Sequence, residues 1–121
     1  MPGHSTIENP LLRTLGHILD VSARRHQLIA SNLANVDTPG YRTRDLDFRA
    51  ALRQADNNLQ LAVFPAPVRT VQGLPERPDG NNVSVEREGL LMAQNQLRFQ
   101  TGIQLLRVHF RQISAAINEG R

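Results

Sequence analysis

The chain has 121 residues, enough for one small domain or a two-helix assembly subunit, and only 4% of them are aromatic, which argues against a large ring-lined pocket. It has no cysteine, excluding disulfides, thiolate metal sites and a cysteine nucleophile, and its 14 basic residues are all arginine, excluding Schiff-base lysine and P-loop lysine chemistry. The formal charge is only +3, with 11 acids interleaved among the arginines, so there is no polybasic arm.

Residues 1–9 read as a flexible N-terminus. They lack the basic start and apolar core of a cleavable secretory signal, and no apolar run in the chain approaches the roughly 20 residues of a membrane span. A first helix is predicted over 10–37. Pro10 suits its opening turn, where a missing N–H costs nothing. Leu12, Leu15, Leu19, Ser22, His26, Ile29, Leu33 and Val36 alternate spacings of three and four, the rule for a coiled-coil seam. Ser22 and His26 are polar places in that seam, which either set register or reach water. Leu11, Ile18, Val21 and Leu28 lie off it, so more than one face calls for burial.

Residues 38–55 are predicted to hold a turn, an extended stretch and a short helix. In Thr38-Pro39-Gly40-Tyr41, proline fixes φ at the second position and glycine supplies the positive φ of a type II turn at the third. Leu46 and Phe48 alternate with Asp45 and Asp47. Asp47 is placed to cap a brief helix carrying Phe48, Ala51, Leu52 and Ala55. Residues 56–82 read as an irregular insert, with Pro65, Pro67, Pro75 and Pro78 and a possible short strand at 61–64.

A second long helix is predicted over 83–121. Ser84 suits its N-cap, and Glu86 and Glu88 favour its first turn. Its seam is Met92, Gln96, Phe99, Ile103, Leu106, Phe110, Ile113 and Ile117, widened by Leu90, Leu97, Leu105 and Val108. Gly102 interrupts the pattern at a cost of about 1 kcal/mol, which close approach of a neighbouring helix would explain. The fold class is therefore mainly α: two long terminal helices pairing as an antiparallel coiled coil, joined by the turn, the short helix and the insert. One seam between two helices covers too little apolar surface to offset the ordering of both. The off-seam leucines are accordingly assigned to contacts with other chains, and the terminal helices are expected to order fully only on assembly.

Histidines 4, 17, 26 and 109 show no ligand spacing, so no metal is expected. There is no nucleophile-elbow motif and no phosphate-cradling glycine loop, so neither an enzyme nor a cofactor is expected. A small arginine-rich module binding nucleic acid is the alternative to an assembly subunit, but its arginines form no stripe on either helix. Asn32 and Asn35 read either as helix-end and capping residues or as inter-subunit hydrogen-bonding groups. Arg42 and Arg44 read as solvated loop charges or as docking groups for acidic neighbours.

The eleven residues Ser31-Asn32-Leu33-Ala34-Asn35-Val36-Asp37-Thr38-Pro39-Gly40-Tyr41 resemble the N-terminal signature of bacterial flagellar rod, hook and hook-associated proteins. Arg42-Thr43-Arg44-Asp45-Leu46-Asp47-Phe48 and Gly80-Asn-Asn-Val-Ser-Val-Glu86, followed by Met92, Asn95, Leu97, Arg98, Phe99 and Gln100, resemble the proximal-rod family within that group. That family more often has Asp at the place of Ser84 and Tyr at that of Phe99. The resemblance covers both helices and the turn and hardly touches 56–80.

It implies a non-enzymatic subunit without cofactors. Ser31–Asn35, Thr38–Tyr41, Arg44, Asp45, Asp47 and Phe48 would carry the family motif. Leu12, Leu15, Leu19, Ile29, Leu33 and Val36 would form a helix seam with Met92, Phe99, Ile103, Leu106, Phe110, Ile113 and Ile117. Implied partners are other copies of the chain, FlgC-like rod proteins, a FliE-like adaptor, a FliF-like ring protein and the flagellar type III export apparatus, with no nucleic acid and no direct membrane insertion. The implied place is the basal-body rod in the periplasmic space, reached without a cleaved signal.

Overall fold

A computed structural model gives the fold, and it describes residues 9–57 and 68–120. Helix α1 spans Pro10–Ala34. Asn9 caps it, its Oδ1 accepting from the N–H groups of Leu11 (2.8 Å) and Leu12 (3.4 Å). The helix stops at Ala34, short of Asp37, because the Asn35 N–H turns back onto the carbonyls of Ser31 and Asn32 and the Thr38 N–H onto that of Asn35. The next four residues form the type II turn, with Gly40 at φ 76° and the Tyr41 N–H donating to Thr38 O over 3.2 Å.

Strand β1 (Arg44–Leu46) follows, then helix α2 (Phe48–Asn57). Asp47 Oδ1 accepts from the Ala50 N–H at 3.1 Å, the capping that starts α2. The strand suggested at 61–64 lies outside the described residues. What pairs with β1 is β2 (Val68–Thr70), antiparallel, with Arg44 opposite Thr70 and Leu46 opposite Val68. Helix α3 spans Val85–Glu119, and Ser84 caps it by accepting from the Arg87 N–H. Asn32 meets Glu88, Ser22 meets Asn95 and Leu19 meets Gly102, so α1 and α3 run antiparallel. No helix among the described residues is long and apolar enough to cross a membrane.

Two packing expectations need correction. Leu28, assigned from sequence to other chains, is covered by this chain itself, as is the off-seam Val21. Val21 is buried with Leu46, Ala51 and Ala55, and Leu28, Phe48 and Leu52 pack against that cluster. The amphipathic α2 folds back on α1 because its Phe48/Ala51/Leu52/Ala55 face has no other apolar surface at hand.

The second correction concerns α3. The residues it buries are Glu88, Asn95 and Gly102, at intervals of seven, and not the apolar seam. Met92, Phe99, Ile103, Leu106 and Ile113 flank that line half-buried, and Phe110 and Ile117 are exposed. On α1, Leu15 and Ile29 are buried while Leu12, Leu19 and Leu33 are half-buried, as is Val36 just beyond its end. A Cβ on Gly102 would stand 3.0 Å from Leu19 Cδ2, so the glycine makes room for the Leu19 side chain against the small and polar side of α3.

Candidate assembly site

The end of the hairpin where α1 leaves and α3 begins is held by polar groups, centred on Asn32. Its side chain is 1% exposed and both ends of its amide are used. Nδ2 donates to Glu88 Oε1 and to the Arg44 carbonyl, each at 2.8 Å. Oδ1 accepts from the Tyr41 hydroxyl at 3.0 Å and from the Arg44 N–H at 3.1 Å. One residue thus joins the last turn of α1, the tyrosine of the turn, β1 and the first turn of α3. The Glu88 carboxylate is wholly buried and is balanced by Arg87 Nη1 on its second oxygen at 2.8 Å. A buried charge persists only when paired and hydrogen-bonded in this way.

Around this centre the turn is laced to the segment before α3. Asn81, fully buried, donates from Nδ2 to the carbonyls of Asn35 (2.9 Å) and Thr38 (2.8 Å) and accepts at Oδ1 from the Val83 N–H. Asn82 Oδ1 accepts from the Thr43 N–H at 2.7 Å, and its carbonyl accepts from the Thr43 hydroxyl. Arg77 donates from one guanidinium nitrogen to Val83 O and from the other to Val36 O, bridging the exit of α1 and the approach to α3. Beside the turn, Asn35 Nδ2 returns to Ser31 O and the Thr38 hydroxyl donates to Asn35 Oδ1. These groups add side-chain bonds to the carbonyls of the turn and of the segments that flank the helix ends.

The remaining motif residues sit nearby. Asp45 takes a two-pronged bond from Arg25 at 3.0 and 2.9 Å, fixing β1 to α1. Asp47 faces Arg69 at 3.1 Å. The Ala50 N–H, opposed by desolvation and helped by Arg69 and Arg53, holds the Asp47 carboxyl below its ordinary range. The Arg98 guanidinium lies 4.3 Å from the centre of the Phe48 ring. Ser31 Oγ is 3.4 Å from the Tyr41 hydroxyl, Leu33 is half-buried, and Ala34, Thr38, Pro39, Gly40 and the side chain of Arg44 are exposed.

The structure therefore brings Asn32, Asn35, Tyr41 and the Arg44 backbone into one network, and each hydrogen bond of Asn32 closes within the chain. The sequence reading missed Arg25, Thr43, Arg77, Asn81, Asn82 and Glu88 as members of it. The signal for Asn81 and Asn82 was two adjacent asparagines in a glycine- and proline-rich stretch, where Asn side chains commonly bond backbone. Glu88 gave none, since a first-turn acid ordinarily faces water.

Arg24, Arg25, Arg42, Arg69 and Arg87 each lie against a carboxylate, which takes these five away from a nucleic-acid backbone. The outer face of α3 is apolar and open instead: Leu90, Leu97, Leu105 and Val108 are exposed, Leu97 by 66%. Patches of this kind mark interaction surfaces.

The family described as "Flagella basal body rod protein" matches residues 22–42, the second half of α1 and the turn. The flagellar basal body rod protein FlgB of Yersinia enterocolitica is 31% identical over 90% of this chain and 94% of its own. The FlgB of Salmonella typhimurium is 33% identical over 78% and 83%, and that of Cereibacter sphaeroides 37% identical over 68% and 73%. With similarity of this extent running through both long helices and the turn that joins them, the chain belongs to the FlgB family of flagellar basal body rod proteins.

Proposed function

We propose that this chain is a non-enzymatic structural subunit of the proximal rod, the shaft that carries motor torque outward from the membrane-embedded ring. A locked helical hairpin with an open apolar flank is the observation that carries the reading. The Asn32–Glu88 network supplies one fixed shape, and the exposed leucines of α3 call for cover from beyond the chain. Family membership supports partners among copies of the chain and adjoining rod components. FlgC-like, FliE-like and FliF-like proteins are the specific neighbours we assign. Passage through the type III export gate without a cleaved signal, and residence in the periplasmic part of the basal body, complete the proposal.

In this reading the motif residues shape the subunit and the helix flanks join subunits. Ile103 and Leu106 lie half-buried beside the Glu88–Asn95–Gly102 line that faces α1. Ile103→Asp or Leu106→Asp is expected to abolish rod assembly and swimming while the chain is still expressed and exported. Normal swimming by either variant would remove the seam from the mechanism.

A further inference from the structure

On the side of α3 turned away from the Glu88–Asn95–Gly102 line, Leu90, Gln94, Leu97, Thr101, Gln104, Val108 and Arg111 alternate spacings of four and three, and every one of them is exposed. This is a second coiled-coil seam, separate from the one that packs on α1. Leu90 is open by 60% and Leu97 by 66%. From Leu90 to Val108 the seam runs about 27 Å, or about five turns, long enough for another helix to lie along it. Beside its middle, a hollow of about 530 Å³ lined by Leu15 and Ile18 of α1 and by Leu97, Thr101 and Leu105 of α3 offers room for apolar side chains from outside.

The seam has the same character read in either direction about position 99. Leu90 and Val108 stand nine residues either side of it, Gln94 and Gln104 five, Leu97 and Thr101 two. An identical helix laid antiparallel therefore sets leucine on valine, amide on amide, and leucine on the threonine methyl. Charge follows the same symmetry. Glu86 and Arg111, thirteen and twelve residues from the midpoint, are both exposed and have no ion-pair partner among the described residues. The antiparallel arrangement brings Glu86 of each copy to Arg111 of the other, at both ends of the contact. A parallel one would set Arg111 on Arg111 and Glu86 on Glu86, which repel. Arg87, close to the same place, is held by Glu88, and Arg98, next to the midpoint, is turned onto the Phe48 ring 4.3 Å away.

We infer that two copies of the free chain pair through this seam, α3 against α3 in opposite directions, about a two-fold axis at position 99. Such a contact is self-complementary and closes at two copies. The pair itself goes beyond the rod-subunit reading, and only its place in time rests on that reading. Copies packed around a shaft all point one way, so a two-fold pair belongs to the chain before assembly and covers the open leucines until rod neighbours replace it. One helix width over about five turns is a small interface, and an affinity in the micromolar range is expected.

The chain has no cysteine, so single thiols report the register cleanly. Full-length Leu90→Cys and Val108→Cys are purified separately, mixed at about 100 μM, well above that range, and oxidised. The mixed disulfide dimer is expected to dominate, because positions 90 and 108 adjoin in the antiparallel pair while each lies about 27 Å from its own counterpart. A statistical mixture of the three products, or the self-products of a parallel pair, overturns the inference. Sedimentation equilibrium of the unsubstituted chain is expected to show dimers at that concentration, and monomers alone overturn it equally. Arg111→Glu should weaken the pair about tenfold, and adding Glu86→Arg to the same chain should restore it. A double variant as weak as the single one overturns the register. In oxidised basal bodies from a flagellated host, the two thiol variants should be present without the mixed dimer. Finding it there overturns the pre-assembly assignment, whereas absence of the unsubstituted chain from basal bodies overturns the rod reading instead.

Discussion

Asn32 and Glu88 stand 56 positions apart and meet through a 2.8 Å hydrogen bond with both side chains out of water. The bond unites the signature segment of α1 with the first turn of α3, so the two ends of the motif in sequence are one object in space. Glu88→Ala is expected to strand the Asn32 amide and Arg87 and to destabilise the folded chain by about 2–3 kcal/mol. Glu88→Gln, which keeps an acceptor for Asn32, should cost less. Urea unfolding of both variants checks the order, and equal costs would show that the hydrogen bond is not what matters.

Gly102 is predicted to tolerate alanine and to reject leucine. A Cβ there meets the mobile end of Leu19 at 3.0 Å, which can move aside, and the helix gains about 1 kcal/mol of propensity to offset the crowding. A larger side chain forces α1 and α3 apart, at about 1–3 kcal/mol. Thermal melts of Gly102→Ala and Gly102→Leu should therefore fall on opposite sides of a small threshold, the alanine variant within about 1 kcal/mol of the parent.

Gly40→Val should break the type II turn. The φ of 76° is open to glycine and strained for a β-branched residue by about 1–3 kcal/mol. Because Tyr41 follows directly and donates to Asn32, the strain reaches the network. Loss of swimming is expected, along with faster hydrogen exchange at the Arg44 amide. An unchanged exchange rate would show that the turn and the network are independent.

Acid should weaken the start of α2. The Asp47 pKa lies below its ordinary 3.8, chiefly because the ionised form accepts the Ala50 N–H, so folding binds fewer protons there than the unfolded chain does. The stabilisation is present in full above the ordinary value and is lost as pH falls through the lowered one. An NMR titration should find Asp47 protonating below 3.8, with the Ala50 amide shifting in step. Asp47→Asn should flatten that response while keeping most of the cap.

Much of the fold was legible because its signals are local. The Thr38–Tyr41 turn, the caps at Asp47 and Ser84, the proline opening α1 and the packing reason for Gly102 each follow from one or two residues and a steric rule. The facing side of α3 was hidden for the opposite reason. Glu88, Asn95 and Gly102 recur every seven residues, but a count of apolar residues ignores them, and their burial depends on partners 56 to 83 positions away that only folding supplies. The Arg77 bridge and the pairing of β1 with β2 were beyond reach likewise, since no nearby residue fixes them.

Helix α3 has 35 residues against the 25 of α1, so among the described residues about 15 Å of α3 runs past α1 at the end away from the asparagine network. A slender tongue of this kind can slide between molecules already in place, whereas a full two-helix body would have to displace them. The thick end, cross-tied by Asn32, Asn81 and Arg77, is the stiffer of the two and the natural place for load to enter.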